Sequence, residues 1–121
     1  MTEKQLHKSI CDFIKYQYPK VIFNTDASGL KLTIGQSVQI KKLRSSNGFP
    51  DIVIYEQSQG YWALFLEVKI ETPFKKDGKL KSNKHLEEQN EMHKKLRLKG
   101  YKVEFVWTFD NAVKLIRDYL K

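Results

Sequence analysis

The sequence predicts an α/β sandwich, a central mixed β-sheet flanked by helices. Three observations predict it. Apolar residues recur at helical spacing near both ends of the chain and between positions 84 and 99. Three runs rich in β-branched and aromatic residues, "DIVIYE", "YWALFLEVK" and "YKVEFVW", read as strands. The first two are joined by "QSQG", a turn short enough for an antiparallel hairpin. The third follows a helix, and a right-handed crossover places it parallel in the same sheet. Antiparallel and parallel neighbours together make the sheet mixed.

The elements follow in order. "TEKQLHKSICDFIKYQYP" is a first helix, with Leu6, Ile10, Phe13 and Ile14 at helical spacing and Pro19 ending the pattern. Glu3 lies on the same stripe as Leu6 and Ile10, so it faces what the helix covers. "VIFNTDASG" is a short strand entering a turn. Between Leu32 and Ser46, Leu32, Ile34, Val38 and Ile40 alternate as strands do, while Thr33 suits the cap of a helix running to about Arg44. The helix is the preferred reading. After the hairpin, Lys75 to Lys84 is polar, contains Gly78 and reads as a mobile loop. A helix from about Lys84 to Lys99 puts Leu86, Gln89, Met92 and Leu96 on one face, and Gly100 stops it. After the third clear strand, Thr108 or Asp110 caps a final helix carrying Ala112, Leu115, Ile116 and Tyr119.

With 121 residues the chain is one domain's worth and can bury a core without disulfides or a structural metal. No run approaches the ~18 apolar residues of a membrane span, and "MTEKQLHKSI" lacks the apolar core of a signal peptide. A lone cysteine, Cys11, leaves a reducing cytoplasm as the default location. One Cys and three scattered His argue against structural zinc. His7, His85 and His93 read as ordinary surface or helix residues. The net charge of +8 marks a polyanion as the partner, with nucleic acid first. Its distribution supports that reading. Lys31, Lys41, Lys42 and Arg44 have no acidic residue among them, and Lys75, Lys76, Lys79, Lys81 and Lys84 have only Asp77. Such clusters suit phosphate tracking, although an anionic membrane surface attracts them as well.

The chemistry concentrates around the hairpin. Side chains alternate along a strand, so Glu67 and Lys69 share one face, with Ala63 and Phe65, while Trp62, Leu64, Leu66 and Val68 take the other. Asp51 opens the preceding strand, and in a hairpin the start of one strand lies beside the end of the next. Asp51 therefore falls across from Glu67 and Lys69. Pro50 fixes φ and suits a strand start, and Gly48 adds backbone freedom. Two carboxylates converging at a sheet end make an oxygen-donor site for Mg²⁺ or Mn²⁺, which also bind substrate phosphate. A nearby lysine helps position or deprotonate a water and stabilises charge on phosphorus. E-x-K alone, or P-D alone, carries little weight, because a surface salt bridge and a strand start account for each. Both in order on adjoining apolar strands are far more specific.

"FPD" at Phe49–Asp51 with "EVK" at Glu67–Lys69 resembles the PD-(D/E)xK nuclease superfamily. Together with "DGKL", "LEEQNEMHKKLRLKGY" and the closing strand and helix, the chain resembles the VRR-NUC family, small replication-repair nucleases often encoded by phages. The resemblance covers nearly all of residues 1–121. It implies a restriction-endonuclease-like sandwich with an αβββαβ-type core. It implies a site made from an acidic residue in the first helix, the PD aspartate, the ExK pair and a glutamine in the following helix, which match Glu3, Asp51, Glu67, Lys69 and Gln89. It adds the backbone carbonyl of Val68 as a metal ligand beside Asp51 and Glu67. The stretch Ile70–Asn83 is longer and more basic than in many members. From pattern alone, Gln89 reads equally well as a glutamine bonded to backbone at the core edge, and Glu3 as a first-turn acid favouring the helix dipole.

The expectation is a metal-dependent DNA endonuclease using Mg²⁺ or Mn²⁺, selective for structure rather than base sequence, because the basic residues contact phosphate. The resemblance further implies a homodimer acting on branched or junction DNA, as Holliday-junction resolvases do, in a bacterial or phage-infected cell. A non-catalytic nucleic-acid-binding module of the same fold, or a flap or nicking nuclease, is the alternative. Tyr16, Tyr18 and Phe74 read as exposed aromatics.

Overall fold

The structure, a computed structural model, describes residues 1–26 and 33–121. Lys31 and Leu32 lie outside the described residues. The order is α1 (Glu3–Gln17), β1 (Phe23–Thr25), α2 (Ile34–Leu43), β2 (Ile52–Ile54), β3 (Leu64–Val68), α3 (Lys84–Leu98), β4 (Lys102–Val106) and α4 (Phe109–Tyr119). The four strands form one mixed sheet in the order β1-β2-β3-β4. β1 pairs antiparallel with β2 and β2 antiparallel with β3, in the register Ile52↔Leu66, while β4 lies parallel to β3. The architecture is the α/β sandwich expected.

Local chemistry sets the boundaries. Thr2 and Gln5 form a capping box on α1, and Thr33 with Gln36 does the same for α2. Thr33 thus decides the ambiguous stretch in favour of a helix. That helix buries none of its residues. Asn83 caps α3 by accepting from the N–H groups of His85 and Leu86, and Thr108 caps α4. The hairpin between β2 and β3 narrows to a two-residue turn. Gln59 and Gly60 both have positive φ, at 53° and 87°, and Ser58 and Tyr61 exchange backbone hydrogen bonds of 3.1 and 2.8 Å. These are the marks of a type I′ turn, whose twist matches that of the strands.

Alternation along the strands builds the two faces. Leu64, Leu66 and Val68 of β3 join Ile52 and Ile54 of β2 and Val106 of β4 in an apolar core closed by Leu6, Ile10 and Ile14 of α1 and Ala112, Ile116 and Tyr119 of α4. The other face carries Glu67 and Phe105 and is covered by α3, whose inward residues are Gln89, Met92 and His93.

Two expectations change. Lys75–Lys84 is not a plain loop, since Phe74 and Leu80 bridge across a turn closed by bonds from Lys75 N to the Lys79 carbonyl and from Gly78 N to the Lys75 carbonyl. Asp77 Oδ1 also accepts from Lys79 N. The turn is anchored because Phe74 stacks edge-to-face on Phe105 and Trp107. Phe74 is therefore half-buried. So is Tyr18, which packs edge-on against Phe13, and only Tyr16 of the three aromatics is exposed. Among the described residues, no helix is long and apolar enough to cross a membrane.

Candidate active site

Asp51 is fixed from three sides. Its N–H donates to the Leu66 carbonyl at 3.0 Å, and its own carbonyl accepts from Asp26 N at 2.7 Å, so the ladder runs one residue past β2. Its side chain turns across the hairpin, where Oδ2 accepts from the Val68 N–H at 2.8 Å. Gly48 lies just before it at φ 87° and serves a second purpose there. A Cβ at that position would lie 3.2 Å from the Glu88 carbonyl and 3.4 Å from Gln89 Cα. The missing side chain lets α3 close on the loop that delivers Asp51.

Glu67 is 1% exposed. Burial, and then the Asp51 carboxylate beside it, push its pKa up to about 10, and Lys69 offsets only part of this. Its Oε1 lies 3.3 Å from His93 Nε2. His93 is fully buried against the Phe105 ring, with centroids 4.6 Å apart, and burial holds its pKa down to about 4. It is therefore neutral near pH 7, and the contact is a hydrogen bond rather than an ion pair. Lys69 continues β3 past its end, its N–H donating to the Val106 carbonyl at 2.8 Å.

These groups open into one cleft of about 370 Å³, lined by Glu3, Lys41, Arg44, Asn47, Gly48, Phe49, Asp51, Glu67, Lys69, His85, Glu88 and Gln89. The structure thus brings together Asp51, Glu67, Lys69, Gln89, Glu3, Lys41 and Arg44, with Val68 joined through its N–H. Arg44 also pairs with Asp26. Lys42, Lys75, Lys76, Lys79 and Lys84 are exposed and do not line the cleft, and half-buried Lys81 does not either.

Sequence reasoning missed His85, His93, Asn47 and Glu88. The signal for the two histidines was their spacing. His85, Gln89 and His93 are four apart and stack on one stripe of α3. His85 Nε2 is 3.2 Å from Gln89 Nε2 at the cleft mouth, and His93 reaches the buried carboxylate at its base. His93 is buried and not the surface residue that isolated polarity suggests, whereas His85 is exposed and lines the cleft.

The donor set fits a hard divalent cation. Burial first, and then the neighbouring Asp51 carboxylate, oppose a charge on Glu67, and a cation between the two would relieve both. The Gln89 Oε1 atom is buried and has no hydrogen-bond partner among the described residues, and Gln89 lines the cleft. Among the described residues, no group of three or more His, Cys, Asp or Glu side chains forms a ready cage.

A structure named VRR_NUC domain protein matches with a TM-score of 0.67 over 99% of this chain and 88% of its own. This chain has the VRR_NUC fold. Identity to that structure is 19%, so the likeness lies in the architecture and not in a close sequence relation. No family model matches the chain, and no curated protein does.

Proposed function

We propose that the protein is a metal-dependent DNA endonuclease that hydrolyses phosphodiester bonds. The observation that carries this reading is the cleft itself. It gathers Asp51, Glu67, Lys69 and the unpartnered Gln89 oxygen at one sheet end, with Lys41 and Arg44 on its rim. The VRR_NUC fold supports it. Binding alone gives no reason to bury Glu67 beside the half-buried Asp51 carboxylate.

Asp51 and Glu67, with the Val68 carbonyl, would hold Mg²⁺ or Mn²⁺. When bound, such an ion polarises the phosphodiester and acidifies a water. Asp51 presents a carboxylate already oriented by Val68 N–H, and Glu67 one oriented by His93. The Lys69 ammonium donates to the non-bridging oxygen on which charge develops, and assists the incoming water. Gln89 Oε1 accepts a hydrogen bond from that water, and Glu3 orients it or the ion from α1. Lys41 and Arg44, with Lys42 beside them, hold backbone phosphates, and Lys75, Lys76, Lys79, Lys81 and Lys84 extend the basic surface along the hairpin after β3. These contacts carry no base information, which supports selectivity for structure. A homodimer would present two cuts related by a two-fold axis, the symmetry of a four-way junction.

The test is cleavage of plasmid, flap and four-way-junction DNA with Mn²⁺ by wild type, Asp51→Asn and Lys69→Ala. Both variants are expected to lose cleavage. Undiminished cleavage in both sinks the nuclease reading. Sedimentation at low micromolar concentration reads the dimer.

A further inference from the structure

The sheet face that carries Glu67 does not end at the cleft. Phe49 and Arg44 line both the cleft and a second concavity containing Val53, and Tyr55 and Phe65 line both that concavity and a third. The three concavities share lining residues and follow one another along β2. From Asp51 to Tyr55 they run about 13 Å at ~3.3 Å per residue. Their far end is aromatic, with Trp62 60% exposed and Tyr55 52% exposed, beside Tyr101 and Lys99.

Exposed rings of this size normally flicker between rotamers, yet these are held. Trp62 N donates to the Gly100 carbonyl at 3.0 Å, and its indole lies across Gly100. A Cβ at position 100 would sit 2.6 Å from Trp62 Cδ1, so only glycine allows this seat, and Gly100 has φ 97°. Tyr55 is tied by its hydroxyl, which donates to Asn24 Oδ1 at 3.0 Å. Tyr101 is locked edge-on to Phe65 at 5.0 Å. Lys99 lines this end, where the lining acid is Glu56.

Rigid exposed rings beside a lysine suit stacked nucleobases, since every base offers a π-face and the lysine answers a phosphate. We infer that an unpaired nucleic-acid strand leaves the cleft along these concavities and stacks its bases on Trp62 and Tyr55. This rests on the nuclease reading and names its substrate class: DNA with a single-stranded arm next to the scissile phosphate. Continuity with the cleft favours a nucleic-acid strand over a second copy of the chain on this surface.

The test is the anisotropy of fluorescein-labelled oligo-dT in EDTA, comparing wild type with Trp62→Leu, which keeps apolar cover over Gly100, and with Tyr55→Ala. Melting temperatures confirm that each variant folds. Each variant is expected to bind oligo-dT about tenfold more weakly. With Mn²⁺, each should lose cleavage of splayed-arm DNA more than cleavage of blunt duplex. Unchanged oligo-dT affinity in both folded variants overturns the inference. So does a wild-type dimer that Trp62→Leu converts to monomer without changing affinity, which assigns the surface to a second copy. Because binding is read without metal, this surface is judged even if Asp51→Asn and Lys69→Ala show that the nuclease reading fails.

Discussion

Leu66 and Glu67 are neighbours on β3 and equally hidden from water, yet they are buried for opposite reasons. Leu66 points into the apolar face closed by α1 and α4, where burial stabilises the fold. Glu67 points to the α3 face, where burial and the nearby Asp51 oppose its charge. One strand thus carries the core on one side and a destabilised carboxylate on the other. The comparison teaches that solvent exclusion alone does not distinguish a structural residue from a functional one; the cost of the buried group does.

The sharpest way to break this comparison is to change each neighbour. Leu66→Ala is expected to cost about 2–5 kcal/mol in urea unfolding, with cleavage per folded molecule retained. Glu67→Gln should do the reverse. Cleavage falls ~100-fold or more, while the metal-free protein gains stability above neutral pH. The sign follows from the proton each state holds. Folded Glu67, pushed up to about 10, keeps a proton that the unfolded chain releases near its ordinary 4.5. The stability present below about pH 4.5 is therefore lost as pH rises towards 10. His93 acts in the opposite sense. Held down to about 4 from 6.5, it refuses a proton that the unfolded chain takes, so its contribution rises with pH across that window. The two slopes oppose each other up to about pH 6.5, and Glu67's persists above. Melting temperatures in EDTA from pH 5 to 9 should fall beyond pH 6.5 for wild type and stay flatter for Glu67→Gln. A parallel decline in both would mean that Glu67 is not the group responsible.

The apolar side of this comparison was legible in the sequence and its polar side only partly so. Period-2 alternation exposed Leu64, Leu66 and Val68 as core, and helical stripes did the same for Leu6, Ile10 and Ile14. Asp51, Glu67 and Lys69 could be placed together because hairpin register is simple arithmetic. Thr33 settled α2 by its capping chemistry. His93 escaped because pattern reading takes polarity for exposure. Nothing within α3 says that a histidine four residues after Gln89 meets a carboxylate contributed by β3. The hairpin at Lys75–Lys84 escaped for a similar reason. Its order comes from Phe74 packing on Phe105 and Trp107, contacts distant in sequence.

His93 gives the next largest effect. Its Nε2 is hydrogen-bonded to Glu67 Oε1, while its buried Nδ1 has no partner among the described residues. Replacing it with Leu removes the hydrogen-bond partner that orients Glu67, and also removes an unsatisfied polar atom. The expected result is Mn²⁺ affinity about 10–100-fold weaker by calorimetry, without a matching loss of thermal stability. His93→Gln, which can still donate, should recover part of the affinity. Equal affinity in wild type and His93→Leu would reduce His93 to a packing residue.

The smallest effect compares two helix caps. Asn83 and Thr108 each accept from first-turn N–H groups, of α3 and α4 respectively, and alanine at either should cost about 1 kcal/mol. Their consequences for the cleft differ. α3 carries His85, Gln89 and His93 to the cleft and its buried base, and closes on Gly48, whereas α4 closes only the apolar face. Asn83→Ala should therefore lower both the melting temperature and the cleavage rate at saturating Mn²⁺, while Thr108→Ala lowers the melting temperature alone. Equal rates for the two variants would mean that fraying the first turn of α3 leaves Gln89 in place. The cleft would then depend on the strand ends and the Gly48 contact, and not on the start of the helix.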